Sequence, residues 1–174
     1  LITLLNFKKI TSKWGPTTMS NIPSYTSGPS TKPLIGMTIG DKFDEIAATY
    51  PENDALIVRH QGIRLTYAQL KERVDEAARA FLAIGVKRGD RVGMWSPNCA
   101  EWTITQFATA KVGAILVNVN PAYRLHELEY AMNQSEAKFL VTADTFKSSN
   151  YTQMLNELAP ELKDAEEGEL NSAK

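Results

Sequence analysis

The chain has 174 residues, of which 43% are hydrophobic and 22% charged, and its formal net charge is −1. That size allows one domain or part of a larger one, and the charge balance excludes recruitment by bulk charge to nucleic acid or an anionic membrane. The single cysteine, Cys99, excludes an internal disulfide framework and fits a reducing compartment, and no apolar run approaches the roughly 18 residues of a membrane helix.

The first residue is Leu, and residues 1–18 carry Lys8, Lys9 and Lys13 without an acidic side chain. Met19 reads as the start, with 1–18 as an upstream extension. The alternative is a targeting peptide, which would place the protein in the mitochondrial matrix rather than the cytoplasm. Residues 1–36 as a whole read as an irregular N-terminal arm, with Ser, Pro, Gly and Thr dense from position 20 onward.

An α/β unit is predicted over 37–160. Thr38 caps a helix that runs to about Tyr50, with Ile39, Phe43, Ile46, Ala47 and Tyr50 on one face, and Pro51 stops it. Ala55 to Arg59 and Ile63 to Leu65 read as the arms of a hairpin that turns at Gln61-Gly62. Thr66-x-x-Gln69 has the form of a capping box and opens the clearest helix, with Leu70, Val74, Ala77, Ala78, Phe81 and Leu82 as its buried stripe. Gly85 stands where a left-handed C-terminal residue is wanted.

From Arg91 the order becomes strand, helix, strand, helix, strand. Arg91 to Trp95 is a strand, and Ser96-Pro97-Asn98 offers caps for a helix over about Cys99 to Val112. Gly113 closes that helix and Ala114 to Asn118 is the next strand. Leu125, Leu128 and Met132 mark a short helix, Lys138 to Thr142 a third strand, and Tyr151 to Leu158 a last helix. Short connections between such units give a mostly parallel sheet with helices on both faces, a three-layer α/β fold. After Pro160, residues 161–174 read as an acidic connecting tail.

Several segments carry a resemblance. LTYAQL (Leu65 to Leu70), GVKRGDRVGMWSPNCAEW (Gly85 to Trp102) and KVGAILVNVNPAYR (Lys111 to Arg124) are similar, in order and spacing, to core motifs of the adenylate-forming (AMP-binding) superfamily. VNPAYR and ELEYAMNQSEAKFLV (Glu127 to Val141) look most like the medium-chain fatty-acid–CoA ligase branch of the acyl-CoA synthetases. The resemblance covers about residues 20–174 and implies the N-terminal subdomain of such an enzyme. It also implies a reaction for the whole enzyme. A fatty acid attacks the α-phosphate of MgATP to give an acyl-adenylate, and the thiol of CoA then displaces AMP. ATP, Mg2+ and CoA are therefore the cofactors and substrates implied for the parent. The missing C-terminal part of the same fold is the implied partner, because the phosphate loop, acidic residues and mobile lysine of the family lie C-terminal to the matched region. No catalytic residue is assigned to this chain and no metal ligand. Two other readings stand beside this one: a non-catalytic interaction module or remnant, and a generic Rossmann-like nucleotide-binding domain.

The remaining candidates have plainer readings. Tyr25-Thr26-Ser27-Gly28 imitates part of a phosphate loop, but no strand delivers it to a helix N-terminus. Gly85, Gly89 and Gly93 do not fit G-x-G-x-x-G, and helix-cap and turn roles suffice for them. His60 and His126 lie in different units without acidic or cysteine partners at metal-ligand spacing. Cys99 reads as a small packed side chain. Trp95, Trp102, Phe107 and Tyr123 read as packing between helices and sheet, with an acyl pocket as the alternative. Lys147 follows a strand and Asp144, where some relatives place a basic residue against the 3′-phosphate of CoA. It is the one cofactor-binding candidate.

Overall fold

A computed structural model describes residues 3–6, 28, 31–32 and 34–164. Helix α1 spans Ile39–Thr49, and the Thr38 hydroxyl accepts from the Asp41 amide as its N-cap. Strands β2 (Asp54–Val58) and β3 (Ile63–Thr66) form an antiparallel hairpin. A single 3-10 turn over Arg59–Gln61 joins them, and Gly62 follows it in the left-handed region at φ 67°. Helix α2 runs from Tyr67 to Ala83 behind the expected capping box: the Gln69 amide donates to the Thr66 hydroxyl, and the Thr66 amide donates to the Gln69 side chain.

The sheet begins with β4 (Arg91–Trp95), followed by α3 (Ala100–Val112), β5 (Ile115–Val119), α4 (Leu125–Ser135) and β6 (Phe139–Thr142). β4 pairs in parallel with β5 on one side and with β6 on the other. The expected mostly parallel arrangement is therefore present. β4 lies at its centre because its residues are apolar on both faces, and four of its five are buried.

Two cores sit on opposite faces of the sheet. On one, Val92, Met94, Phe139 and Val141 meet Phe43, Leu70, Val74, Phe81 and Ala108 from α1, α2 and α3. On the other, Trp95, Val119 and Leu140 meet Leu128 and Met132 of α4 and Tyr151, Met154 and Leu155 of α5 (Tyr151–Leu158). Helix, sheet and helix make the three layers read from the sequence.

Four elements depart from the sequence reading. Residues 3–6, placed in an irregular arm, form strand β1 (Thr3–Asn6), antiparallel to β6 at the sheet edge. An extended TLLN segment suits such an edge, and β6 offers an unoccupied row of backbone donors and acceptors there. A second small hairpin, β7 (Thr145–Phe146) with β8 (Ser149–Asn150), lies between β6 and α5, too short to leave a periodic pattern. Pro160–Lys163 is a 3-10 turn, and Leu162 packs onto the α4/α5 core, so the tail does not leave the fold at residue 161. Gly93 is neither cap nor turn. It lies inside β4, where an added Cβ would come within 2.9 Å of Leu140 Cδ1 and 3.2 Å of Met132 Sδ. The strand passes too close to β6 and α4 for a bulky side chain.

The three helices of the first face are also tied by charge. Lys111 Nζ of α3 lies 2.5 Å from Asp44 of α1 and 2.5 Å from Asp75 of α2, while Lys71 joins the same two carboxylates. The Lys111 side chain is only 13% exposed and that of Asp75 29%, so salt screens this pair less than it does the pair with Asp44, which is 42% exposed. Burial alone would raise the Asp75 pKa, but hydrogen bonds from Lys111 and Lys71 outweigh it and hold the carboxyl below its ordinary value. Asp90 is in the same position: burial pushes it up, and Lys138 Nζ at 2.5 Å with the Lys87 amide at 2.9 Å brings it below.

A carboxylate whose folded pKa is depressed contributes stability above its unfolded value of about 4 and loses it as pH falls through the folded value. The thermal midpoint is therefore expected to hold between pH 7 and 5 and to fall below about pH 4. An Asp75→Asn, Asp90→Asn double variant should be less stable at pH 7 and show a shallower acid slope in the same scans. An unchanged slope would remove these two groups from the account.

Candidate functional site at the carboxyl ends of the parallel strands

In open parallel sheets, ligands bind beyond the carboxyl ends of the strands, where neighbouring connections diverge to opposite faces. Here β4 leads into α3 on one face, and β5 leads into α4 on the other. The segments at that end are Ser96–Cys99 after β4, Asn120–Arg124 after β5, and the β7–β8 hairpin after β6.

The middle segment is fixed from beneath by two aromatic rings. Trp95 and Tyr151 are fully buried and stack with centroids 3.7 Å apart and planes 17° from parallel. Each ring also donates a hydrogen bond to the loop backbone. Trp95 Nε1–H donates to the Asn120 carbonyl at 3.2 Å, and Tyr151 O–H donates to the Pro121 carbonyl at 2.5 Å. Burial pushes the Tyr151 phenol up to about 12, so it remains a donor through the neutral range. The loop adds its own turn: the Asn120 side chain accepts from the Ala122 amide and the Asn120 carbonyl from the Tyr123 amide. Arg124 therefore leaves a rigid base, and its amide donates to Glu127 at the start of α4.

Lys147 lies exposed between β7 and β8, with φ 53°, a left-handed conformation for a residue with a Cβ. Its Nζ sits 5.2 Å from the Phe146 ring centroid. The neighbouring Ser148 hydroxyl accepts from Arg124 Nη2 at 3.4 Å. Arg124 thus touches the hairpin that carries Lys147, next in sequence to Ser148. The sequence singled out Lys147 but not Arg124, because the contact joins residues 24 apart through a hairpin that left no sequence signal.

At the first segment, the expected caps from Ser96 and Asn98 are not used. Cys99 is the N-cap residue of α3 and makes no side-chain cap bond. The cap comes from the β2–β3 turn: Gln61 Oε1 accepts from the Ala100 amide at 2.7 Å, and Gln61 Nε2 donates to Glu101 at 2.9 Å. Glu101 is held below its ordinary pKa despite burial, which would raise it, chiefly by that Gln61 hydrogen bond. Gln61→Ala should cost about 1 kcal/mol, as for other lost N-caps, and lower the thermal midpoint by roughly 3 °C. Exchange at the Ala100 amide should quicken first. An unchanged Ala100 exchange rate would show that the cap is not made.

Cys99 lies beside the Ser96 hydroxyl, 3.3 Å away, and burial pushes its thiol pKa up, which suits the packed role read from sequence. His60 and His126 are both exposed, one in the 3-10 turn and one in α4. The four aromatic candidates do not converge. Trp102 and Phe107 pack on the α1/α2/α3 face, where Phe107 stacks on Phe43 with centroids 4.4 Å apart. Trp95 and Tyr123 belong to the other face. No single acyl pocket is built from them. Of Tyr25-Thr26-Ser27-Gly28, all but Gly28 lie outside the described residues.

Among the described residues no three His, Cys, Asp or Glu side chains are grouped to hold a metal ion. Among the described residues no strand runs through a glycine-rich loop into a helix, the arrangement a phosphate loop needs.

Comparison with known proteins decides the family. The family model described as "AMP-binding enzyme" matches residues 43–172. The chain belongs to this family. Within the AMP-binding enzymes it resembles the acyl-CoA synthetases. The medium-chain acyl-CoA ligase ACSF2, mitochondrial, of Homo sapiens is 46% identical over 149 residues, which are 86% of this chain and 24% of that protein. The putative acyl-CoA synthetase YngI of Bacillus subtilis is 41% identical over 139 residues, 80% of this chain and 25% of that protein. The chain therefore spans about a quarter of the length of these relatives.

Solved structures agree with the fold. The inhibitor-bound N-terminal domain of FACL13 from Mycobacterium tuberculosis superposes with a TM-score of 0.58 at 28% identity, over 59% of this chain and 26% of that one. The N-terminal subdomain of NpsA from Klebsiella oxytoca gives 0.59 at 26% identity, over 63% and 28%. Both are N-terminal parts of their enzymes, as the motif order implied for this chain.

Proposed function

We propose that this chain is the N-terminal portion of an ATP-dependent fatty-acid–CoA ligase, and that it works as framework rather than as a catalyst on its own. The observation that carries the reading is the 46% identity to a medium-chain acyl-CoA ligase over the stretch that builds the parallel sheet. In the whole enzyme, fatty acid, ATP and CoA are the substrates, and Mg2+ accompanies the ATP. The residues of this chain would orient and bind rather than transfer groups. The Trp95–Tyr151 stack holds the Asn120–Arg124 loop, and that loop carries Arg124 to the hairpin that bears Lys147. Lys147, with Arg124 beside it, would meet the 3′-phosphate of CoA. The mitochondrial label carried by the human relative favours that location over the cytoplasm.

The test is a chimera in which residues 1–164 replace the matched segment of the human relative. The chimera should form acyl-CoA from a medium-chain fatty acid, ATP and CoA, and the 174-residue chain alone should form none. Lys147→Ala in the chimera removes an exposed charge contact of about 1 kcal/mol, so KM for CoA should rise about fivefold with KM for ATP unchanged. A folded but inactive chimera would overturn the ligase reading. Equal KM values for CoA would remove Lys147 from it.

A further inference from the structure

The hand of the crossovers says which side of β6 the fold expects to be filled. Helix α4 lies on the Trp95/Leu140 face of the sheet, and the β5–α4–β6 connection steps across β4 to reach the far side. Helix α3 lies on the opposite face, and β4–α3–β5 steps the other way, as one common right hand requires. Helix α5 follows β6 and packs on the same face as α4, with which it shares a core. A connection of the same hand, on the same face, must step in the same direction. The next parallel strand after α5 therefore belongs on the outer edge of β6.

That edge is taken by β1. Thr3 to Asn6 pair with Thr142 to Phe139 in antiparallel register, on a strand whose other side is parallel to β4. β6 is also a demanding edge to leave bare. All four of its residues are buried, and an unpaired row of backbone groups beside them invites another strand.

We infer that the outer edge of β6 is a strand-acceptor site, and that β1 covers it until a parallel strand displaces it. The displacing strand is an apolar extended segment of the polypeptide that follows α5 in full-length relatives, of which this chain spans only about a quarter. The inference uses the family reading only to supply that polypeptide. β1 then has a role as a temporary edge guard, shielding β6 from non-native pairing with a second copy.

Hydrogen exchange tests it in three proteins. In the 174-residue chain, the amides of β1 and the β6 amides facing it should exchange at least tenfold more slowly than in unstructured peptide. Deleting residues 1–18 should release those β6 amides and leave the β4 amides protected. In the chimera with the human relative, the Thr3–Asn6 amides should exchange freely while β6 stays protected. Unprotected β1 in the parent chain would overturn the inference, as would β6 protection that survives the deletion or β1 protection that persists in a folded chimera. If the chimera does not fold, the deletion decides. Thioester formation by the chimera reads the ligase assignment separately, so an active chimera with protected β1 overturns the strand exchange alone.

Discussion

Trp95→Ala should be the most damaging single substitution, lowering stability by about 4 kcal/mol and the thermal midpoint by roughly 10 °C. The ring is fully buried and stacks on Tyr151, and its N–H satisfies the Asn120 carbonyl. Truncation removes all three contributions at once and leaves a cavity between β4 and α5. Domains of this size are stable by about 5 to 15 kcal/mol, so a loss of this kind takes a large share of the total. Trp95→Phe separates the parts. It keeps a ring against Tyr151 but leaves the Asn120 carbonyl without its indole donor, at a cost of about 1 to 2 kcal/mol. In both variants the Ala122 and Tyr123 amides should exchange faster, because the loop rests on that carbonyl. Denaturant unfolding checks the ordering. A Trp95→Ala variant within about 1 kcal/mol of the parent would mean that the stack does not hold the loop.

The same tryptophan shows how far the sequence could be read. The strand Arg91–Trp95 and the helix Tyr151–Leu158 follow from apolar runs, turn residues and caps that act over a few positions, and both are formed with those bounds. The three layers followed as well, since short alternating strands and helices leave little choice of topology. What joins Trp95 to Tyr151, or Arg124 to Ser148, is contact across dozens of residues, and no local rule reports it. Gln61 makes the point most clearly. Its place before Gly62 marks it as a turn residue, and it is one, yet its side chain also caps a helix that starts 39 residues later. The capping geometry is ordinary and only its source is remote. Ser96 and Asn98 had the right chemistry and the right place in the chain but do not provide the cap. The family likeness of KVGAILVNVNPAYR was legible because those residues lie together in the chain, as the end of α3, the strand β5 and the loop after it. The strand β5 they form has Ile115 half exposed and no partner among the described strands on its outer side. A strand so apolar at an open edge fits a sheet that continues in the longer relatives.

Gly93→Val should be the second large effect, about 3 kcal/mol of destabilisation, and its cause is the reverse of a cavity. The glycine sits at the middle of β4, with β5 hydrogen-bonded on one side and β6 on the other, so the backbone has nowhere to move. A Cβ there would lie 2.9 Å from Leu140 Cδ1, 3.2 Å from Met132 Sδ and 3.5 Å from the Phe139 carbonyl oxygen. The first two atoms are ends of flexible side chains and can yield a little, so Gly93→Ala should cost only about 1 kcal/mol. Valine adds two methyl groups beyond the Cβ. Leu140 is itself fully buried, and its displacement would press on Trp95 and the α4/α5 core. The backbone dihedral is not the obstacle, since Gly93 does not lie in the left-handed region, and β propensity would favour valine. A destabilised Gly93→Val with a near-normal Gly93→Ala in parallel denaturant titrations would therefore assign the glycine to close packing. Relief should come from the opposite side: Met132→Ala would open space under the new side chain and recover part of the loss in Gly93→Val, while costing about 2 kcal/mol or more in the parent. Additive costs in the double variant would show that strand and helix do not meet at this glycine.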